Sequence, residues 1–328
     1  MGRLVEQLLK GEPLALARAI TVVENDLEGA SAILTAIQPH LGRARIIGVT
    51  GPPGVGKSTL IDAMIAELRS RGKTVGLLAV DPSSSLTGGA ILGDRIRMAS
   101  HTNDQGVFIR SLASRGHLGG LFRTALGVVQ VMDSAGPDFV IIETVGAGQS
   151  DMEIASVAQT RIVVCAPGLG DDIQAIKAGI LEIADFLVVN KCDMDLAAET
   201  VRQLQSMLKL RDPALGVATV LATTATTGLG IAALADALEA AWHPGMARTP
   251  DPGRRIRQIF ADTAADVLRR HLQTSPDPSI EILCERVKRG ELGFEGAARL
   301  LLKDLVDNRD LVEPLPFGPS TRDPKNRA

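Results

Sequence analysis

Residues Gly51 to Thr59 read Gly-Pro-Pro-Gly-Val-Gly-Lys-Ser-Thr, and this stretch limits the folds open to the chain. The spacing is Gly, four residues, then Gly-Lys-Ser, the pattern of a phosphate-binding loop. Glycines let successive backbone N–H groups point inward around a di- or triphosphate, where a side chain would obstruct the approach. Lys57 places a positive charge between β- and γ-phosphates, and Ser58 offers a hydroxyl to Mg²⁺. Such a loop works only between a strand and a helix. Arg45 to Thr50 is a short apolar run suited to the strand. Leu60 to Arg71 carries apolar residues at Leu60, Ile61, Met64, Ile65 and Leu68, the spacing of a buried helix face. The nucleotide-binding set is therefore expected to include Gly51, Pro52, Pro53, Gly54, Val55, Gly56, Lys57, Ser58 and Thr59.

The base is addressed further along, at Asn190-Lys191-Cys192-Asp193. These residues follow the apolar run Phe186 to Val189, so they fall in a loop at a strand's C-terminal end, where parallel sheets bind ligands. A carboxylate at Asp193 accepts from both N1–H and the 2-amino group of guanine, whereas adenine has neither donor. Two such bonds at about 1.5–3 kcal/mol each give discrimination on the order of 10²–10⁴. Asn190 is expected to buttress neighbouring loops and the Lys191 stem to cover one face of the base. Thr223, Thr224 and Ala225 follow a later strand, expected at Val217 to Leu221, and are placed near the base or its carbonyl.

Strands are also expected at Thr74 to Val80, ending in Asp81, and at Asp138 to Ile142, ending in Glu143-Thr144-Val145-Gly146. Each brings a carboxylate to the sheet edge beside the phosphates. Magnesium favours a few carboxylates with waters and phosphate oxygens, so Ser58, Asp81, Glu143 and Asp94 form the expected metal set. Gly146 could donate its N–H to the γ-phosphate and move when that phosphate leaves. Gln149 is the candidate for orienting water, beside Lys57 and Glu143 in catalysis. Arg95, Arg97, Arg110 and Arg115 lie in the region from which a transition-state cation could come.

The pattern of alternating strands and helices, with a further strand at Arg161 to Ala166, predicts an α/β fold. It is a P-loop NTPase three-layer sandwich, with a mostly parallel central sheet and helical N- and C-terminal extensions. Three parts follow. Residues 1–44 are a helical extension with apolar positions at Leu4, Leu8, Leu14, Ala17, Ile20, Ile33 and Ile37. Residues 45–245 are the nucleotide domain. Residues 246–328 are a helical segment, with amphipathic helices at Arg254 to Leu272 and Ile280 to Val306 and a frayed tail. A net charge of −3 with interspersed signs argues against an extended nucleic-acid surface. No apolar run reaches membrane-spanning length. The N-terminus reads as neither signal nor transit peptide, so a cytoplasmic protein is expected. Cys165, Cys192 and Cys284 are widely separated, no Cys-x-x-Cys is present, and the five histidines form no ligand pair.

Taken together, the motifs resemble the MeaB/ArgK/MMAA family of P-loop GTPases. The resemblance rests on the stretch 42–59, Val-Asp-Pro-Ser-Ser at 80–84, Gly-Asp-Arg-Ile-Arg-Met at 93–98 and Arg-Ser-Leu-Ala-Ser-Arg-Gly-His-Leu-Gly-Gly at 110–120. It continues through Glu-Thr-Val-Gly-Ala-Gly-Gln-Ser at 143–150, Gly-Asp-Asp-Ile-Gln-Ala-Ile-Lys-Ala-Gly-Ile at 170–180 and Asn-Lys-Cys-Asp. It implies a GTP-binding and GTP-hydrolysing chaperone for an adenosylcobalamin-dependent acyl-CoA mutase, methylmalonyl-CoA mutase above all, with Mg²⁺ and GTP/GDP as ligands. It further implies a homodimer built partly by the C-terminal helices, and a mobile switch from Asp171 through Lys177. Spacing alone would read Lys177 as a solvated helix charge. The chain departs from the family pattern at Asp151, where Glu usually follows Gly-Gln-Ser. Rival readings are a metal-insertion GTPase, a small-molecule kinase and a targeting GTPase; the first needs Cys/His ligands and the second an acceptor pocket with a base.

Overall fold

The protein is described from a computed structural model, which describes residues 1–81, 101, 103–113, 120–144, 157–168, 184–212 and 216–241. In the C-terminal region it describes 257, 260–261, 264–265, 267–269, 272–273, 275 and 277–307. The chain divides into two compact units, Met1–Thr263 and Ala264–Ala328.

The larger unit is built on a seven-stranded sheet, parallel throughout: β1 (Arg45–Thr50), β2 (Val75–Asp81), β3 (Val107–Ala113), β4 (Phe139–Thr144), β5 (Thr160–Cys165), β6 (Phe186–Val189) and β7 (Thr219–Ala222). Their order across the sheet is β3-β2-β4-β1-β5-β6-β7. The first strand is thus central, and the chain moves to one side of it and then the other, the switch point at which such sheets open a binding crevice. The strands expected from sequence lie within two residues of those observed. Val107–Ala113 was not foreseen, because Arg110 and Ser111 interrupt its apolar run; it forms an edge of the sheet, beside β2.

Both faces of the sheet are buried, and alternation along each strand divides its residues between them. Val75 and Leu77 of β2, with Phe139 and Ile141 of β4, face α4 (Lys57–Ser70) and α7 (Ile231–Ala240). Leu78, Val80, Val140 and Ile142 face the opposite way, toward α5 (Gly120–Ser134). The N-terminal helices α1 (Gly2–Leu9), α2 (Pro13–Glu24) and α3 (Ala30–Ile37) belong to that second cluster. Leu8, Ile20, Ile33 and Ile37 are fully buried. At about 1.5–3 kcal/mol for each large aliphatic side chain, these helices are structural members of the core. Leu14, expected on the buried face, is 74% exposed, while Leu16 and Val23 join Ile20 in pointing inward. At 100° per residue Leu14 lies across the helix from Leu16, Ala19 and Val23. Farther along the sheet, α6 (Ala197–Leu208) covers Val163, Leu187 and Val189 with Leu204.

Two polar clamps fix the chain where it enters this sheet. Asp133, 3% exposed at the end of α5, accepts from the backbone N–H groups of Gly42, Arg43 and Ala44 at 2.6, 3.0 and 2.7 Å. That carboxylate sets the entry into β1. Arg69 near the end of α4 grips Asp104 with two bonds of 2.9 and 2.8 Å, and Asp104 also accepts from the Gly106 amide at 2.8 Å. This pair holds the approach to β3.

In the smaller unit, the single helix expected over Ile280 to Val306 is two: α8 (Pro278–Lys288) and α9 (Phe294–Asp307). The break is at Gly290, in the left-handed region at φ 73°, where a helix ends without cost to a Cβ. Asp277 caps α8 by accepting from the Ser279 amide at 2.9 Å.

Asp133→Ala removes the acceptor of three backbone donors and is expected to destabilise the protein by about 2–4 kcal/mol, read as a fall in the urea midpoint. The Arg69 guanidinium, with help from the Gly106 amide, lowers the Asp104 carboxyl from 3.8 to about 2. Its folded-state value lies below its unfolded one, so the clamp stabilises fully above about pH 4 and loses its effect as pH falls through 2. The stability gap between the parent and Asp104→Asn is therefore expected to be constant from pH 5 to 7 and to close between about pH 4 and 2.

Candidate functional site

The loop that opens the site begins where β1 ends. Gly51 takes φ +145°, and a Cβ there would lie 2.2 Å from the Val164 carbonyl oxygen of β5, so no other residue fits. Gly54 and Gly56 are in the left-handed region at φ +82° and +93°. Gly56 is also the N-cap of α4, which starts three residues earlier than the apolar spacing suggested. Lys57, Ser58 and Thr59 thus form the first turn of α4, a helix end of the kind that offers backbone N–H groups to anions. Val55 is fully buried and anchors the loop from beneath, while Pro53 and Gly54 are exposed at its tip. Pro52 contributes its carbonyl. The Lys57 ammonium, only 7% exposed, donates to the carbonyls of Gly51 at 2.7 Å and Pro52 at 3.0 Å. The side chain is thereby folded back over its own loop.

Carboxylates gather at the same sheet edge. Glu143 in β4 is buried and accepts a 2.6 Å hydrogen bond from the Ser58 hydroxyl. Its Cα is in register with Val49 of β1 and Ala79 of β2. Asp81 stands at the last position of β2, in register with Ala113, two residues beyond the Glu143 level. Ser58 and Glu143 bring hydroxyl and carboxylate oxygens, the donor type a hard divalent cation takes, to this edge. Among the described residues, no group of three or more His, Cys, Asp or Glu side chains converges as a metal site.

The second half of the site is organised by one side chain. Asn190, 2% exposed, donates through Nδ2 to the carbonyl of Val55 at 3.1 Å. Its Oδ1 accepts from the Thr223 hydroxyl at 3.2 Å and the Ala225 amide at 3.1 Å. A single buried amide therefore joins the phosphate loop, the 190–193 loop and the 223–225 loop. Close packing reinforces it: a Cβ on Gly56 would lie 2.6 Å from Asn190 Nδ2. Lys191, at φ 58°, reaches back to donate to the Gly54 carbonyl at 2.8 Å. Cys192 donates its amide to the Thr223 carbonyl at 3.0 Å and its thiol to the Val189 carbonyl at 3.1 Å. Burial pushes that thiol up, which favours its neutral form. Asp193 is exposed at the loop's outer edge, and Thr224 is buried with its amide bonded to the Leu229 carbonyl.

Of the residues expected at the site, Gly51 through Thr59, Glu143, Asn190, Lys191, Asp193 and Thr223 through Ala225 lie on the loops and strand end just described. Asp94, Gly146, Gln149, Asp151, Asp171 and Lys177 lie outside the described residues, as do Arg95, Arg97 and Arg115. Arg110 is a correction. It lies within β3 and is held by Glu24 and, at 3.4 Å, by the Thr21 hydroxyl, both on α2. Its charge is committed to the N-terminal helices, a role that sequence order could not reveal. Also unforeseen is the closure of the 223–230 segment by a bridge between Thr224 and Leu229; the signal was the pair of glycines at 228 and 230 ahead of an apolar helix.

Asn190→Ala would leave the Val55 carbonyl, the Thr223 hydroxyl and the Ala225 amide to find new partners. Guanine-nucleotide affinity is expected to fall by about 10–100-fold, measured by titration calorimetry with GDP.

Comparison with known proteins agrees with this geometry. The family model described as methylmalonyl Co-A mutase-associated GTPase MeaB matches residues 16–274. A Pyrococcus abyssi protein carrying a GTPase name is 42% identical over 320 residues, covering 93% of this chain and 97% of its own. The mitochondrial methylmalonic aciduria type A homolog of Mus musculus is 33% identical, covering 92% of this chain and 79% of its own. A crystal structure titled LAO/AO transport system kinase superposes with a TM-score of 0.63 at 26% identity, covering 93% of this chain and 97% of that one. With the phosphate loop, the parallel sheet and most of the chain matched, this protein is a GTPase and belongs to the MeaB family of methylmalonyl-CoA mutase-associated GTPases.

Proposed function

We propose that the protein is a GTP-operated chaperone for an adenosylcobalamin-dependent acyl-CoA mutase, with methylmalonyl-CoA mutase as client, gating cofactor loading and protecting or reactivating the enzyme. The observation that carries the nucleotide half is the Asn190 amide, which ties the phosphate loop to the base-facing loops. The client half is supported by the description of the family model and by the name of the mouse relative.

In this reading Lys57 exchanges the Gly51 and Pro52 carbonyls for β- and γ-phosphate oxygens, while the first-turn amides of α4 hold the phosphates. Asp193 accepts from the guanine edge and Lys191 covers the ring. The oxygen donors Ser58, Asp81 and Glu143, with Asp94, fit Mg²⁺, which when bound supplies charge neutralisation at the phosphates. Ser58, bonded here to Glu143, would be one of the residues holding the ion. Gln149 orients water and Gly146 senses the γ-phosphate. Asp171 through Lys177 relay nucleotide state to the client, and the segment 246–328 supplies a homodimer contact. Among the described residues no helix is long and apolar enough to cross a membrane; the protein works in the cytoplasm, without nucleic acid or membrane partners. The kinase title of the matched crystal structure favours a second reading, phosphoryl transfer to a small acceptor.

The test is steady-state hydrolysis by the purified protein, with and without stoichiometric methylmalonyl-CoA mutase, using GTP and ATP. Slow GTP turnover that the mutase accelerates by about tenfold or more, with ATP inert, is the expected outcome. Turnover unmoved by the mutase would remove this client and leave the GTPase. Recovery of label from γ-labelled GTP on a small acceptor instead of inorganic phosphate would favour the kinase reading.

A further inference from the structure

The loop beyond β7 carries two glycines in similar conformations and different surroundings. Gly228 has φ +77°, and a Cβ added there meets nothing within 4 Å. Gly230 has φ +79°, but its Cβ would stand 2.2 Å from the Ala222 carbonyl oxygen and 3.2 Å from the Thr223 Cα. Both contacts are backbone, so no side chain can swing aside to relieve them. The peptide that would have to move is the one carrying the Thr223 amide. That amide donates to the Val189 carbonyl at 2.8 Å, and the Thr223 carbonyl accepts from Cys192 at 3.0 Å. Thr223 Oγ1 and the Ala225 amide are the two donors to Asn190 Oδ1.

Between these points the segment is tightly closed. The Thr224 amide donates to the Leu229 carbonyl at 2.9 Å, and the Thr227 amide and hydroxyl both donate to the Thr224 carbonyl, at 3.1 and 3.2 Å. Gly230 is then the N-cap of α7, which packs into the core through Ile231, Leu234, Ala235 and Leu238. With one end held by that helix and the other by β7, the loop has no slack to absorb a displacement at residue 230.

We propose that Gly230 is a positioning residue for guanine recognition: the bare backbone at this site lets the 223–225 segment sit close enough to meet Asn190 and the base carbonyl. This deepens the proposed function and rests on its assignment of Thr223 to Ala225 to the base. A side chain at 230 pushes the Ala222–Thr223 peptide away from the hub, weakening the base-facing contacts while the phosphate loop, on the far side of Asn190, keeps its own glycines.

Gly230→Ala is compared with Gly228→Ala, which shares the positive φ and lacks the clash. Binding of GTP and of 6-thio-GTP, whose sulfur is a poor acceptor in place of the base carbonyl oxygen, is measured by titration, with thermal midpoints alongside. Gly230→Ala is expected to weaken GTP binding by about tenfold or more and to shrink the preference for GTP over 6-thio-GTP by about fivefold. Gly228→Ala is expected to stay within about threefold of the parent in affinity, with the preference intact. Should Gly230→Ala fail to fold, Gly230→Asn carries the same test, since Asn tolerates positive φ and keeps the offending Cβ. Equal behaviour of the 228 and 230 variants, or a lowered midpoint at 230 with the base preference intact, would overturn the positioning role. A parent that binds ATP as well as GTP would overturn the guanine assignment beneath it.

Discussion

A parallel sheet cannot leave either face in water, and the architecture of the larger unit follows from that requirement. Its strands run almost wholly apolar, as in Phe139–Ile142 and Phe186–Val189, because side chains on both sides need cover. Helices α4 and α7 cover one face. The other is covered by α5 and α6, with the three N-terminal helices packed into the same cluster as α5. With β1 in the middle and every strand parallel, the C-terminal ends of β1, β4, β6 and β7 lie at one sheet edge. Their meeting there is a consequence of strand order.

At that edge, buried polar groups supply the precision that apolar packing lacks. Asn190 is almost inaccessible, yet both ends of its amide are bonded, to two segments far apart in sequence. An unsatisfied amide in that place would cost about 1–3 kcal/mol, so its partners hold one another in a narrow arrangement. Lys57 and Ser58 are likewise engaged, with loop carbonyls and with Glu143. The side chains assigned to phosphate and metal are thereby held in place by weaker versions of the contacts they are proposed to make.

Much of the fold was legible in the chain itself. Apolar runs ending in Asp81, Glu143 and Asn190 marked strands and the loops beyond them, and the glycines at 51, 54 and 56 marked the phosphate loop. What escaped detection has physical causes. The strand Val107–Ala113 carries Arg110 in its middle, where Glu24 and the Thr21 hydroxyl of α2 meet its charge. Leu14 is apolar but lies across α2 from Leu16, Ala19 and Val23, which form the face that packs inward. The helix over 280–306 kept its amphipathic spacing through Gly290, where backbone conformation breaks it.

Sequence alone determined the residues on offer: a glycine-rich phosphate-loop pattern, an acidic residue closing an Asn-Lys-x-Asp run, and carboxylates at strand ends. Local spacing and residue type carry that information, because each motif is a short run whose backbone needs are written in its glycines and polar side chains. Tertiary structure decided which distant groups share one site. It gave Arg110 to α2, made Asp133 the anchor of residues 42–44, and used one amide to join loops 135 and 35 residues from Asn190. Those pairings depend on strand order and on where backbones approach within hydrogen-bonding distance, and neither is encoded in any one segment.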